Sequence, residues 1–443
     1  MAESAAPSLL FVLAAASLLF HVHCGYPLPA TARMKLFHDP TMRLRDFKAS
    51  LDQLGSASPG PPSERSQGTV YDVTSYGADP FGGVRINLQG GTYVISRPLQ
   101  FPSAGVGNIV IHGGTLQASA DFPMDGYLID LSNSNGSMSY YYEFITFRDL
   151  LLDANYRGGG ILVRNSLRIG IDNCFIAHFS SNGILVQGGH ETYVRNSFLG
   201  QHITAGSDPG ERNFSGIGIN LQGNDNAVTD VVIFSAMVGI MVTSQANTFS
   251  GVHCYNKATS FGGTGIYLKV PGNTQTRIVN CYMDFTGIVM EDPVQVDITD
   301  SFFLGDAYVV LKSINGVAKG VNVVNNLFTG SNKGIDTVQL DVSNGPFKQV
   351  DRVVVERNGA VGMNSRLTNA RGSTQGNGTR WEVDFSSTLL LPDMISYVQY
   401  SLKDDSTGSF PKHALRNVTK NSVVIESEVV VSATVFVMVD QMK

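Results

Sequence analysis

Cysteine, charge and long apolar runs are all scarce in this 443-residue chain, and each scarcity excludes a class of protein. There are 4 cysteines. Cys24 falls at the end of an N-terminal apolar stretch, which leaves Cys174, Cys254 and Cys281. An odd number rules out a disulfide scaffold, and no metal-ligand spacing links the three, so they read as small apolar core residues. Charged residues make up 15% of the chain against 43% hydrophobic ones, a balance that excludes disorder and allows a large core. Lys and Arg number 31 and Asp and Glu 37, for a net charge of −6, so no basic field for nucleic acid exists. An acidic polymer would have to be met by local cations.

The one long apolar run is Pro7–Phe20, 14 residues. It is shorter than the roughly 20 residues of a membrane span and reads as a secretory signal peptide (1–25) cleaved near Cys24–Gly25. A basic leading region is missing, since Glu3 is the only early charge. Four glycosylation sequons accord with secretion, at Asn135, Asn213, Asn377 and Asn417. Residues 26–68 read as a helix-like segment interrupted by Pro40 and followed by a Gly/Ser/Pro linker.

From there a repeat takes over. Gly-Ile-x-aliphatic runs recur at 159–163, 182–186, 215–221, 238–242, 264–269 and 286–290. Between them a second run recurs as FRDLLL (147–152), IDNCFI (171–176), VRNSFL (194–199), VTDVVI (228–233), FSGVHC (249–254), IVNCYM (278–283), ITDSFF (298–303) and VVNNLF (323–328). Its third position is Asn, Asp or Gly. None of these runs has a helical period; they are short strands with bends at Gly, Asn and Asp. Units of this size cannot bury an apolar face alone, so stacked coils with strands about 4.8 Å apart are expected. The fold expected is all-β, a right-handed parallel β-helix (69–362) with a small antiparallel β appendage (363–443). Counting back from the third position aligns the bend residues His190/Glu191, Asn224/Asp225, Gln245/Ala246 and Thr274/Gln275.

With that repeat in view, VYDVTSYGADPFG (70–82) and INLQGGTYVISRPLQFP (86–102) resemble the entry segment of pectin-active β-helix proteins. The chain is similar to the polygalacturonase family of glycoside hydrolases, and in GGHETYVRNSFLG, FSGIGINLQGNDNAVTDVVIF and TGIYLKVPGNTQTRIVNCYMD to its divergent quartet-type plant branch. The resemblance implies a secreted cell-wall enzyme that hydrolyses α-1,4-galacturonosidic bonds, works as a monomer without cofactor or metal, and meets pectic polysaccharide rather than nucleic acid or membrane. Two departures stand out. Asp79 and Gly90 are nearly adjacent where family members carry an Asp-rich stretch and a capping helix. The family's catalytic aspartates precede the Gly-Ile strands, and the residues there, Gly159, Asn182, Ser215, Val238 and Thr264, include no carboxylate. Of the family's Arg-Ile-Lys only Lys269 persists, with Tyr267 in the arginine's place.

Glycoside hydrolysis needs two carboxyl groups, roughly 6.5–9.5 Å apart for inversion or about 5–5.5 Å for retention. Glu191 and Asp225, on successive bends, are one candidate pair, with His190 to orient a proton. Asp153, shortly before a Gly-Ile strand, is another acid, and the long insertion 200–214 brings His202, Asp208, Glu211 and Arg212. Lys269, Tyr267, Arg148 and Arg195 are the candidate substrate contacts. A non-catalytic pectin binder and, less favoured, a calcium-dependent pectate lyase are the alternatives.

Overall fold

The computed structural model describes residues 83–101, 105–132, 140–202, 215–256, 262–270, 272, 274–405 and 410–442. The expected signal peptide, the 26–68 segment, the 70–82 entry motif, Asn135, Asn213 and most of the insertion, with Asp208, Glu211 and Arg212, lie outside them.

Each coil visits three strands. In one coil these are Asn182–Gln187, Tyr193–Arg195 and Phe198–Gly200. The first kind stacks into a parallel 10-stranded sheet and the other two into a parallel 20-stranded sheet creased along its length, counted among the described residues. The crease is the third position of the second repeat. Asp149, Asn173, Asn196, Asp230, Gly251, Asn280, Asp300 and Asn325 all hold φ between 50° and 66°. Only Gly, and among others chiefly Asn and Asp, adopts this left-handed backbone cheaply, which explains the recurrence. Their side chains bond coil to coil: Asn173 Nδ2 donates to Asp149 Oδ1 at 2.6 Å and Asn196 Nδ2 to Asp172 Oδ1 at 2.9 Å. A parallel β-helix therefore follows directly from the repeat.

The Gly-Ile pair has a separate cause for each residue. Ile161, Ile184, Ile219, Ile240, Ile266 and Ile288 stack in register and are fully buried. Each contributes about 1.5–3 kcal/mol by leaving water. The preceding glycines form a spine. A Cβ on Gly160, Gly183, Gly218 or Gly239 would sit 2.5, 2.7, 2.6 or 2.5 Å from the carbonyl oxygen of the next coil's glycine. The register corrects one expectation. In Ser215–Leu221 two Gly-Ile dipeptides stand two residues apart, and Ile217, not Ser215, pairs with Asn182. Period-two alternation makes the two dipeptides equivalent in sequence; the pairing selects Gly218–Ile219.

The three cysteines are free and buried, as expected, and burial pushes the thiols of Cys174 and Cys281 up to about 12. After the last coil strand, Gly359–Val361, the chain forms an antiparallel sheet of Asn369–Asp384, Tyr397–Asp404, His413–Thr419 and Ser422–Asp440. It has its own core around Trp381, Val383 and Ile425. Leu390 and Leu391, between its strands, pack into the coil core instead. The appendage thus closes that end of the β-helix.

Candidate functional site

Asp153 ends the strand Tyr142–Asp153, at the corner where the creased sheet gives way to the ten-stranded sheet. Its Oδ1 lies 2.7 Å from His178 Nδ1 and accepts the Asn155 amide at 2.9 Å, while Gln117 Nε2 donates to Oδ2 at 3.1 Å. Acid and imidazole are both mostly buried. Burial is the largest influence on the Asp153 carboxyl and pushes it up. The His178 hydrogen bond and charge, with the Asn155 and Gln117 donors, outweigh burial and hold it below the ordinary carboxylate range. The Tyr156 ring packs 4.8 Å from that of His178, and its hydroxyl lies 3.3 Å from Nδ1 of the buried His202. Asn155 and Tyr156 are both left-handed, φ 51° and 57°; a bulky residue holds such a backbone only where its surroundings fix it. His202 stands at the root of the long insertion. Gln201 pins that root through Ser215, donating to its hydroxyl at 2.7 Å and accepting its amide at 3.1 Å. The corner therefore joins Asp153 to the start of the insertion, two candidates that stood apart in the sequence.

From this corner the ten-stranded sheet carries Asn182 in one column with Ile217, Val238 and Thr264. Asn182 Nδ2 donates to the Tyr127 hydroxyl at 2.7 Å, and Asn182 Oδ1 accepts from Asn220 Nδ2 at 3.2 Å. Further along the same face the Tyr267 hydroxyl donates to Glu291 Oε1 at 2.5 Å, and Lys312 Nζ is 3.8 Å from that oxygen. Burial, then the bond to Glu291 and its charge, push the Tyr267 phenol up. Lys269, two residues after Tyr267, is exposed. Asp292 fixes the neighbouring loop: buried, it accepts the amides of Ile314, Asn315, Gly316 and Val317.

His190, Glu191 and Asp225 occupy the opposite corner. The strand between the corners, Gly159–Arg164, has 6 residues, so about 20 Å separates the two groups. The expected bend column is real. Glu191, Asp225, Ala246 and Gln275 hold φ of 62°, 56°, 59° and 43°, and His190 bridges to Asn224. Glu191 is engaged by Arg168, whose Nε lies 3.1 Å from Oε2 at an angle outside hydrogen-bond geometry; Arg168 also pairs with Glu143. Tyr140 Oη is 3.0 Å from His190 Nε2. Asp225 is exposed. Arg148, Asp172 and Arg195 stack as one outward column beyond this corner, Arg195 pairing with Asp172 at 3.5 Å and Arg148 with Asp149 at 3.6 Å. Among the described residues no cluster of His, Cys, Asp or Glu has the geometry of a metal site.

No family model matches the chain. A curated relative does: it is 58% identical over 404 residues to Polygalacturonase QRT3 of Arabidopsis thaliana, covering 91% of this chain and 82% of that one. The chain belongs to the polygalacturonase family. Solved structures of low identity also match in part. The tailspike protein gp49 of Pseudomonas phage LKA1 matches with TM-score 0.45 and 11% identity over 82% of this chain and 67% of that one. A tailspike mutant of E. coli bacteriophage HK620, solved in complex with a hexasaccharide, matches with TM-score 0.43 and 10% identity over 90% and 89%. Among the described residues no carboxylate stands at the starts of the stacked Gly-Ile strands: Asn182, Ile217, Val238 and Thr264 share that column.

His178, Gln117 and Tyr156 had no part in the sequence-based candidates. A signal for them existed: Asp153 pairs with Ala177, which puts His178 one position past the acid on the next coil. Stacking the repeats column by column exposes that adjacency.

Proposed function

We propose that the chain hydrolyses the α-1,4-galacturonosidic bonds of pectic polysaccharide at the Asp153 corner. The observation that carries the reading is the Asp153–His178 contact beside the ten-stranded face, in a chain 58% identical to a polygalacturonase. A carboxyl held low is ionised in mildly acidic surroundings and suits a base or nucleophile rather than a proton donor. The leaving oxygen then takes its proton from a second group, for which His178, and Tyr156 packed against it, are the candidates. Lys269 and Tyr267 contact the polymer further along the face. The test is the product made from polygalacturonate by the purified protein. Hydrolysis releases reducing ends without the ultraviolet absorbance of an unsaturated sugar. That absorbance would mark a lyase instead, and binding without turnover a pectin binder.

A second reading keeps Glu191 and Asp225 as the acid pair, oriented by His190. Their stacked left-handed positions on successive coils favour it. Arg148 and Arg195 would belong to that reading, as contacts for a chain lying on the adjacent limb of the creased sheet.

Lys269→Ala is expected to weaken polygalacturonate binding several-fold at low ionic strength, and added salt should shrink the difference, because an exposed cation is readily screened. Equal affinities at low salt would remove Lys269 from the site.

The same reading makes the protein secreted and glycosylated. Asn377 and Asn417 are exposed on the appendage, and Asn417 Nδ2 reaches its sequon hydroxyl, Thr419 Oγ1, at 3.3 Å. Enzymatic removal of N-glycans from protein made in a secreting host should shift its mass, and Asn377→Gln and Asn417→Gln should each abolish part of that shift. An unchanged mass contradicts it.

A further inference from the structure

A second groove lies away from the Asp153 corner, on the outer face of the creased sheet. It measures about 520 Å³ and crosses four consecutive coils. Its floor is a single register column: Thr248 pairs with Arg277, Arg277 with Asp297 and Asp297 with Asn322. Gln275 and Gln295, both left-handed at the bend with φ 43° and 56°, raise one wall, and Gly320 leaves the far end open. Arg277 is exposed, with no acid within ion-pair distance among the described residues, although Asp297 follows one coil later. Elsewhere on this sheet the cation is spent on its neighbour, as Arg195 is on Asp172. A lining of amides, a hydroxyl, one unpaired guanidinium and one carboxylate suits a hydroxyl-rich chain that bears a carboxylate.

The order of the charges sharpens the ligand. Coils repeat at about 4.8 Å, so a carboxylate bound at Arg277 places the next sugar's substituent near Asp297. A second carboxylate there would face a like charge; a hydroxyl or an ester would not. We infer that this groove binds a galacturonan segment in which an ionised uronate is followed by an uncharged, esterified one. The inference rests on pectin being the polymer this chain meets. It names a binding site apart from the catalytic corner.

The experiment uses the full secreted chain carrying Asp153→Asn, so that bound oligomers are not cut. Titration calorimetry compares trigalacturonate with the same trimer singly methyl-esterified. The expected result is an equivalent of esterified trimer that Arg277→Ala removes and Arg277→Lys partly retains. Its affinity should exceed that of the fully ionised trimer by about tenfold, and Asp297→Asn should erase the preference. Circular dichroism establishes that the variants remain folded. Binding unchanged by Arg277→Ala overturns the site. Arg277-dependent binding with no preference between the trimers, or a preference that survives Asp297→Asn, overturns the assignment of the esterified unit. If the parent chain fails to hydrolyse polygalacturonate but Arg277→Ala still removes the equivalent, the hydrolase reading falls and the groove stands.

Discussion

Asp153→Asn is expected to reduce kcat/KM on polygalacturonate by a factor of about 10²–10⁴ while the fold survives. The substitution keeps the shape of the side chain and its place beside Gln117 and Asn155, and removes the charge that His178 holds at 2.7 Å. A pH profile gives the same claim an independent readout. In the parent the Asp153 carboxyl is held low, so activity should persist below the ordinary carboxylate range and be lost only as pH falls through that depressed value. His178→Phe removes the hydrogen bond and the charge that oppose burial. With those two influences gone the carboxyl rises relative to the parent, and the acid limb of the profile moves to higher pH. A limb that stays in place when His178 is removed means that another group is titrating.

Gly239→Ala is expected to give the largest loss of stability for the smallest change in side chain. The added methyl would lie 2.5 Å from Gly265 O and 2.9 Å from Cys254 Sγ. The carbonyl belongs to a backbone held on its next coil, where the Gly265 amide donates to Gly287 O at 2.8 Å. Nothing flexible can give way, so the strands must separate. Overpacking of this kind costs about 1–3 kcal/mol where side chains can adjust, and more where backbone must move. The melting midpoint should fall by several degrees, or the protein should fail to be secreted. Gly378→Ala is the control, since only Arg380 N lies as near as 4.0 Å, and it should stay within about 0.5 kcal/mol of the parent. Equal melting of the two variants would mean that the glycine spine does not set the coil spacing.

The fold was legible because each periodic residue has a local cause. Asn and Asp mark the crease since few side chains tolerate its left-handed backbone, and glycine marks the spine since no Cβ fits there. The single misalignment, Ser215 for Ile217, arose where two Gly-Ile dipeptides compete and only interstrand pairing decides. The site was less legible. Asp153 could be singled out from its place before a Gly-Ile strand. Its partner His178 lies 25 residues on and becomes a neighbour only through coil stacking. Glu191 and Asp225 were placed correctly on adjacent bends, but the ion pair with Arg168 involves a side chain from the preceding coil, which the alignment of bends left out. The two acid sites lie at opposite ends of the stacked strands, with the length of Gly159–Arg164 between them.

The most direct test of where the chemistry sits is reducing-end release from polygalacturonate, measured side by side for the parent, Asp153→Asn and the double variant Glu191→Gln/Asp225→Asn. The Asp153 corner predicts an active parent, a loss of about 10²-fold or more for Asp153→Asn, and a double variant within a few-fold of the parent. A double variant that loses activity while Asp153→Asn keeps it would contradict the account and move the active site to the opposite corner.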